Sequence, residues 1–461
     1  MDRVESSDNI TSEVIKPCPH TPKRSHNSSL IGKIRTQISR KQAAAAGTMS
    51  FVMIGILVSS LMPMPYVQIP STARYNIDCI VVRFTSSGDF IQASSIRIAN
   101  QTSNGWIDFG SVDIVECSDS GYALVSPILR NMDGTKTWSI QLSRLDDFGN
   151  VLWTRVFDVL NIEPNLSLVE AQSGGFVIAG SSLFFCEESN EWIREVFLIR
   201  TNGTGYPEWT QSYSNLSGVC SQSLVECENG DYAIAGTTGV CSNSKSDILL
   251  ARMDPNGTLL WNTAIGGTSF DEGYSLLEHE EGGFIVVGST QDEDYDYRVL
   301  MVRTAANGSM IWNRTFIEEG SSRGNSICSF DDGGFAITGP HIPYIGGSSS
   351  ETLFLKVGSD GELISSKSIR FSAWTRIHGY YNDCTGHAIT QSGDGGFIIT
   401  GVILRDPWTD DWELLLLGTD NAGNLLWNST YGGGTWATGC SLVVCRDGRL
   451  IVAGAESSLV G

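Results

Sequence analysis

Two insertions near the C-terminal end of the chain concentrate the side chains best suited to ligand binding. Residues 371–386 read FSAWTRIHGYYNDCTG, and residues 402–412 read VILRDPWTDDW. Aromatic rings beside carboxylates can stack on sugar rings or capture a cationic peptide. The candidate ligand-binding residues are Trp374, Arg376, His378, Tyr380, Tyr381, Trp408, Asp410, Asp411 and Trp436, the last from the following loop. Ordinary loop packing is the alternative interpretation of the same residues.

Sequence motifs of catalysis and tight metal binding are missing. There is no GxSxG nucleophile elbow, no GxxxxGK[ST] phosphate loop and no HExxH motif, and the six His are scattered. The acidic run Asp292, Glu293, Asp294, Asp296 begins like a calcium loop but has Tyr297 where an EF-hand has Gly. We therefore assign no catalytic residue and no cofactor, and a weak calcium site stays an alternative to a solvated loop.

The insertions interrupt a repeat that occupies most of the chain. One half of the repeat is a hairpin in which two apolar runs flank a polar turn containing Gly or Asn, residues that accept the positive φ of a tight reversal. Seven copies occur, at 114–126, 167–182, 223–238, 275–290, 326–339, 388–401 and 441–454. Small and β-branched residues such as AIAG follow the turn, which suits a crowded central layer.

The other half of the repeat is a hairpin with a Gly four residues before a position that is often Trp. Its seven copies are at 79–96, 140–157, 196–213, 248–267, 299–316, 353–369 and 414–433. The Trp at 153, 209, 261, 312 and 427 are expected to be core wedges between blades rather than ligand platforms. Two such hairpins give a four-stranded antiparallel sheet of about 50 to 60 residues, the size of a propeller blade.

The order of the two halves predicts how the array closes. The chain begins with an outer hairpin (79–96) and finishes with an inner hairpin (441–454), so its ends are expected to complete one blade together. Residues 75–461 are therefore predicted to form an all-β, seven-bladed β-propeller closed by this pairing. Tight turns should lie on one face, and the longer connections with the insertions on the other, where ligands are expected.

The cysteines divide into two groups by their place in this repeat. Cys117, Cys227 and Cys445 share one inner-hairpin position in three blades, too far apart to bond, and are expected to be small buried hydrophobic residues. A second group lies in neighbouring loops at one rim, where an extracytoplasmic compartment would permit one disulfide of undetermined pairing. Its members are Cys186, Cys220 and Cys241.

The runs DGGFIITG and NGTLLW resemble the Asp-Gly-Gly-Phe β-propeller repeats of archaeal and bacterial surface proteins, often described as PQQ-like or quinoprotein-like. The resemblance covers about 380 residues and is specific for fold, since these residues build blades. It implies a binding or scaffold module for a glycan, peptide or protein. The alternative is a quinone-dependent or glycan-cleaving enzyme in the funnel. Against it, the eight blades and calcium ligands of enzymatic quinoproteins are not found, and Asp254 and Gly257 depart from the turn of glycan-cleaving propellers.

The excess of acidic side chains restricts the classes of partner that the propeller segment can bind. Residues 74–461 carry 22 basic and 47 acidic side chains. Such a surface repels phosphate backbones, so nucleic acid is not expected as a partner, whereas cationic groups, metal ions and neutral glycans are compatible with it. Solubility alone also explains the acidity.

An uncharged segment, residues 43–67, precedes the repeats and follows four basic residues between positions 33 and 41. It predicts one transmembrane or signal helix with the propeller outside. A retained anchor would leave residues 1–42 as a polar, disordered cytoplasmic tail and 68–74 as a linker. Cleavage after Ala73 would instead release a secreted propeller.

Export would also make Asn-x-Ser/Thr sequons into glycan acceptors. The sequons at Asn202, Asn256 and Asn307 precede Gly in outer-hairpin turns, where Asn is wanted for turn geometry. The stronger glycosylation candidates are therefore Asn100, Asn165, Asn215, Asn313 and Asn428.

Overall fold

Seven four-stranded antiparallel sheets make up the molecule. The structure, a computed structural model, describes residues 11–13, 74–102, 112–132, 135–159, 161–163, 165–186, 191–216, 220–239, 245–316, 319–343, 350–371, 384–406, 411–432 and 436–460. The first strands of successive blades contact one another around the whole ring, so they line its centre. The chain is thus an all-β, seven-bladed β-propeller, as predicted.

Blades are numbered here along the chain, and their strands run from the centre outward. Blade 1 contains β4 (Asp113–Glu116), β5 (Tyr122–Met132), β6 (Thr135–Leu145) and β7 (Val151–Phe157). Blade 2 contains β8 (Ser167–Glu170), β9 (Phe176–Cys186), β10 (Glu191–Thr201) and β11 (Pro207–Tyr213), followed by a 3-10 turn at Ser214–Leu216. Blade 3 contains β12 (Cys220–Glu226), β13 (Tyr232–Thr237), β14 (Ile248–Met253) and β15 (Leu259–Gly266).

Blades 4 to 6 follow the same plan. Blade 4 contains β16 (Asp271–Glu278), β17 (Phe284–Gln291), β18 (Tyr297–Thr304) and β19 (Met310–Phe316). In blade 5 the inner strand is split into β20 (Ser321–Ser322) and β21 (Ser326–Ser329), followed by β22 (Phe335–Ile342), β23 (Glu351–Val357) and β24 (Leu363–Ile369). Blade 6 contains β25 (Cys384–Gln391), β26 (Phe397–Asp406), β27 (Asp411–Thr419) and β28 (Leu425–Tyr431).

Blade 7 draws its strands from both ends of the repeat region. Its inner pair is β29 (Ala437–Val444) and β30 (Leu450–Val460), and its outer pair is β2 (Arg74–Phe84) and β3 (Phe90–Thr102). In the structure β2 pairs with β30 over its full length, from Arg74 opposite Val460 to Phe84 opposite Leu450. Residues more than 360 positions apart in the chain are thereby placed in one sheet.

Tight turns inside each hairpin depend on Gly in the left-handed region. Gly308 has φ 82°, and a Cβ there would lie 2.6 Å from the ring of Trp261 in the preceding blade. The outer-turn Gly of blades 2, 3, 5 and 7 lie in the same way on the Trp of the preceding blade. The Trp side chains are therefore wedges between blades, although they are only partly buried.

Neighbouring inner strands are tied by a repeated set of hydrogen bonds. At mid-strand, Ser167 Oγ accepts the amide of Leu224 (3.2 Å), and Ser326 Oγ accepts that of Ile389 (3.3 Å). Asp113 takes the Ser position in blade 1, where its Oδ2 accepts the Leu168 amide (2.8 Å). At the turn end, the carboxylates of Glu170, Glu226 and Glu278 each accept an amide of the preceding blade at 2.7 Å.

A three-residue strand, β1 (Thr11–Glu13), pairs antiparallel with the outer edge of blade 3, Thr11 lying opposite Gly266. The described part of the chain contains no helix long and apolar enough to span a membrane. The segment predicted to do so, residues 43–67, falls outside that part, as do the rest of the proposed tail and residues 68–73 of the proposed linker, whereas Arg74 begins β2.

Candidate functional site

The middle hairpins divide the ring into two arcs. In blades 6, 7, 1 and 2 the two middle strands contain 9 to 11 residues each. In blades 3, 4 and 5 they contain 6 to 8. The extra residues lie at the end away from the tight turns, and at about 3.3 Å per residue they make the longer ladders roughly 3 to 16 Å longer than the shorter ones. We call these the long-ladder arc and the short-ladder arc.

A described turn of the short-ladder arc presents an exposed aromatic side chain. Tyr295 lies between β17 and β18, is 78% exposed and has φ 67°, a conformation that costs a bulky residue about 1–2 kcal/mol. Phe270, just before β16, is 41% exposed, and its carbonyl accepts the Gln291 amide (3.0 Å) beside this turn. Strained backbone at an exposed aromatic residue is typical of a functional position.

The acidic run flanking Tyr295 builds that turn. Asp292 Oδ1 accepts the amides of Asp294 (3.0 Å) and Asp296 (2.9 Å), while Asp292 Oδ2 accepts the Arg298 guanidinium at 2.8 Å. These hydrogen bonds help hold the pKa of Asp292 below its usual value against the opposing effect of partial burial. Because Asp292 already has protein partners at both oxygens, the geometry favours a turn scaffold over the calcium site predicted at Asp292, Asp294 and Asp296.

A buried polar network lies below this turn in blade 4. The hydroxyls of Tyr274 and Ser289 both donate to Glu272 Oε2, the second over 3.2 Å. Burial raises the pKa of Glu272, which the nearby Arg323 guanidinium partly offsets, and burial likewise raises the pKa of Tyr274. The Arg323 Cζ lies 3.9 Å from the ring centroid of Tyr297, a cation–π contact between blades 5 and 4.

The sequence interpretation missed this network, although the repeat contains a signal for it. In blades 6 and 7 the position equivalent to Glu272 and Arg323 is occupied by Thr385 and Thr438. Each of these Thr residues, like Glu272, lies opposite the residue that follows the central Gly of the next strand. Charged residues at a position occupied by Thr in blades 6 and 7 depart from those two copies of the repeat, and such departures are where functional residues are expected.

The aromatic insertions predicted to bind a ligand fall mostly outside the described residues. These are Trp374, Arg376, His378, Tyr380, Tyr381, Trp408 and Asp410, while Asp411 begins β27 with its side chain not described. Trp436 is described and is only 2% exposed, and its backbone bridges to Trp412. Its indole therefore has almost no exposed surface in this structure.

The described cysteines behave as packing residues. Cys117, Cys227 and Cys445 are buried in three different blade interfaces, as expected, and burial raises the pKa of the first two thiols to about 12.

Cys117, Asp119 and Glu170 lie close enough to hold a metal ion. However, Asp119 pairs with Arg144, Glu170 accepts from Ser118, and the Cys117 thiol is protonated at neutral pH, so the group is not suited to a metal ion. The side chains of Cys186, Cys220 and Cys241 lie outside the described set.

The glycosylation candidates differ in exposure. Asn428 on β28 is exposed, and Asn313 on β19 and Asn165 are partly buried. The side chains of Asn100 and Asn215 are not described. In the turns, Asn202 Oδ1 accepts the amides of Thr204 and Tyr206 at 3.0 Å each, which agrees with a role in turn geometry.

Comparison with known proteins identifies the fold only. No protein-family model matches the sequence, and no curated protein does. Solved structures that are similar include the β-propeller domain of the trilobed protease from Pyrococcus furiosus (11% identity, 76% of this chain and 91% of that chain, TM-score 0.43). Sqt1 from Chaetomium thermophilum matches at 11% identity (77% and 97%, TM-score 0.39), and the Hadza microbial sialidase Hz136 at 9% (81% and 86%, TM-score 0.36).

Proposed function

We propose that the propeller is a binding or scaffold module that receives a protein or peptide partner on the face of the longer connections, over the short-ladder arc. The observation on which this depends is Tyr295, an exposed aromatic side chain held in left-handed backbone by a hydrogen-bonded acidic turn. Exposed Tyr anchors on rigid supports are typical of energetically important interface positions.

The negative charge of the propeller segment indicates which kind of partner would bind. The propeller segment is strongly acidic, and Glu293 and Asp294 flank Tyr295 in the turn. A partner carrying Lys or Arg beside an aliphatic or aromatic side chain would complement both features. A neutral glycan stacking on the same rings is the competing ligand class.

The aromatic insertions belong to the same proposal as a second contact region. Residues 371–386 and 402–412 arise at the ends of β24, β25, β26 and β27 that point to the same face. A partner that lies over the short-ladder arc and contacts Tyr295 in blade 4 would therefore reach these insertions if it extended across blade 5 to blade 6.

Binding measurements on full-length protein test the proposal. Panels of Lys- and Arg-containing peptides and of polysaccharides would be screened by thermal shift, because a ligand specific to the folded state raises the midpoint. With a ligand found, Tyr295→Asn combined with Phe270→Ala should lower affinity about tenfold or more. Leu426→Ala, at a side chain 61% exposed on the outer strand of blade 6, is the matched control and should bind normally.

The outcomes separate the possible sites. Wild-type affinity in the Tyr295→Asn, Phe270→Ala variant would rule out the short-ladder arc. Loss of binding only in Trp374→Ala, Tyr381→Ala, Trp408→Ala would move the site to the insertions. A ligand found only among polysaccharides would replace the peptide by a glycan.

A quinone-dependent or glycan-cleaving enzyme is the second candidate. One observation favours it: burial raises the pKa of Glu272, as a general acid requires. Release of sugar from a polysaccharide panel, or turnover with pyrroloquinoline quinone and calcium, that disappears in Glu272→Gln would establish it. Unchanged turnover in that variant would show that Glu272 is not the acid.

Location outside the membrane is also proposed, supported by the uncharged segment at 43–67 and by the sequons. The pairing of β1 with β15 requires residues 11–13 and the propeller to lie on the same side of any membrane. A chain anchored with a cytoplasmic tail cannot form that pairing. Protease protection of an N-terminal tag, together with a mobility change on deglycosylation, would distinguish the retained anchor, the cleaved form and an unexported chain.

A further inference from the structure

The interface between blade 7 and blade 1, here called the seam, departs from the other interfaces in its middle strands. In six blades the central pair of the middle ladder is an apolar residue opposite Gly. These pairs are Phe197–Gly180, Leu249–Gly236, Leu300–Gly288, Leu353–Gly339, Leu415–Gly401 and Ile80–Gly454. In blade 1 the pair is Gln141 opposite Ser126.

Strand alternation directs these polar groups into the seam. Ile140 and Leu142 of β6 pack in the cluster shared with blade 2, so Gln141 and its neighbours Ser139 and Ser143 point to the opposite face, toward blade 7. The Tyr122 hydroxyl of blade 1 lies 3.3 Å from Cys445 Sγ of blade 7 on that same face.

Several of the seam's polar atoms are buried without a partner. Ser126 and Ser139 are 0% exposed and Gln141 is 3% exposed. Among the residues that the structure describes, Ser126 Oγ, Ser139 Oγ and Gln141 Nε2 find no hydrogen-bond partner, and these atoms have essentially no accessible surface. Buried polar groups without partners destabilise the closed state relative to one in which water can solvate them.

The seam also lacks the aromatic wedge found elsewhere. At five interfaces an outer-turn Gly lies on a Trp of the preceding blade, and at the blade 5–blade 6 interface Gly423 lies on Phe354. Blade 7 has Gln92 at the Trp position, and a Cβ added to Gly149 of blade 1 would lie 3.2 Å from Ser94 Oγ. Other contacts remain, since Arg449 of blade 7 pairs with Asp147 of blade 1 (2.6 Å) and the Arg83 guanidinium lies 5.8 Å from the Phe148 ring centroid, but the wedge is missing among the described residues.

We propose that the ring opens at the seam between blades 7 and 1 before any other blade interface separates. Three features support this: the Gln141–Ser126 pair, the unpartnered hydroxyls beside it, and Gln92 in place of Trp. Opening hydrates the polar groups of β6 and exposes the facing residues of β2 and β30. Sub-global opening of this kind is expected where an interface is the least stable in a structure.

The labelling rates of three cysteines at one repeat position can show which blade interface opens first. Cys445 lies in the seam, Cys117 between blades 1 and 2, and Cys227 between blades 3 and 4. Burial raises the pKa of the Cys445 thiol to about 11 and those of the other two to about 12, so each thiol reacts mainly after its interface opens. Peptide-resolved thiol labelling of the native full-length protein should modify Cys445 at least about tenfold faster than Cys117 and Cys227.

Matched variants assign the effect to the seam. Gln141→Leu installs the residue of blades 3 to 6 and should slow Cys445 labelling about tenfold, and Gln92→Trp should act in the same direction. Leu300→Gln transfers the polar residue to the interface that contains Cys227 and should accelerate labelling there. Equal labelling of the three cysteines in the wild type, or unchanged Cys445 labelling in a folded Gln141→Leu variant, would overturn the proposal.

Discussion

Blade 1 and blade 4 are copies of one repeat, but they differ in the length of their middle strands and in where their polar residues lie. Blade 1, in the long-ladder arc, has middle strands of 11 residues but a polar central pair, Gln141 and Ser126. Blade 4, in the short-ladder arc, has middle strands of 8 residues and an apolar pair at that level, with its charged residues gathered near the exposed turn at Tyr295. Under the two proposals above, the polar pair of blade 1 weakens an interface of the ring, whereas the polar turn of blade 4 forms part of a surface for a partner.

The largest effect is expected from removing the strands that complete blade 7. Deleting residues 437–461 takes away β29 and β30, and with them the full-length pairing to β2. Since every blade is supported by two neighbours, we expect the whole ring to lose its cooperative melting transition, measured by circular dichroism. A truncated protein that melts with unchanged cooperativity would contradict a closed ring and remove the basis for comparing its arcs.

A Gly→Ala substitution in an outer-hairpin turn should lower the stability more at an interface with a Trp wedge than at the seam. Gly308→Ala places a Cβ 2.6 Å from Trp261 and should cost about 3 kcal/mol or more, measured by denaturant unfolding. Gly149→Ala, where the nearest atom is Ser94 Oγ at 3.2 Å, should cost only about 1 kcal/mol for its positive φ.

Gly282 supplies the control for these two substitutions. It has φ 79° with no atom near its Cβ position, so Gly282→Ala reports the backbone cost alone. A cost for Gly149→Ala equal to that of Gly308→Ala would mean that the seam is packed as tightly as the other interfaces.

The smallest expected effect is a change in pH dependence at Asp113. Burial raises the pKa of this carboxyl in the folded state, so the folded chain holds the proton more tightly than the unfolded chain. The resulting stability is present below the unfolded pKa, about 3.9, and is lost as pH rises through the raised folded value. Asp113→Ser should therefore be slightly more stable than the wild type near pH 8, measured by thermal melting, with the difference vanishing at low pH.

Blade 4 offers the reciprocal experiment for this pH effect. Ser275 occupies the position of Asp113, so Ser275→Asp should introduce a similar loss of stability with rising pH. An Asp113→Ser variant whose melting follows the wild type at every pH would show that Asp113 has an ordinary pKa.

Much of the fold was predictable because each repeat encodes its own turns and strands. The Gly-containing turns and the period-2 apolar runs predicted seven copies of each hairpin, and the tight turns at Gly283 and Gly308 have the expected positive φ. The position of Trp261 as a wedge was predicted from its recurrence alone. The predicted candidate site around Trp374 and Trp408 stays a prediction, because these insertions do not belong to the repeat and have no periodicity from which to derive their placement.

Local patterns and composition were enough to specify the strands, the turns, the number of blades and the acidic character of the surface. Two contacts between blades could be known only from the folded ring, namely Arg323 with Tyr297 and the Gln141 face with blade 7. Such contacts depend on side-chain direction and on burial between units distant in the chain, and a one-dimensional repeat specifies neither.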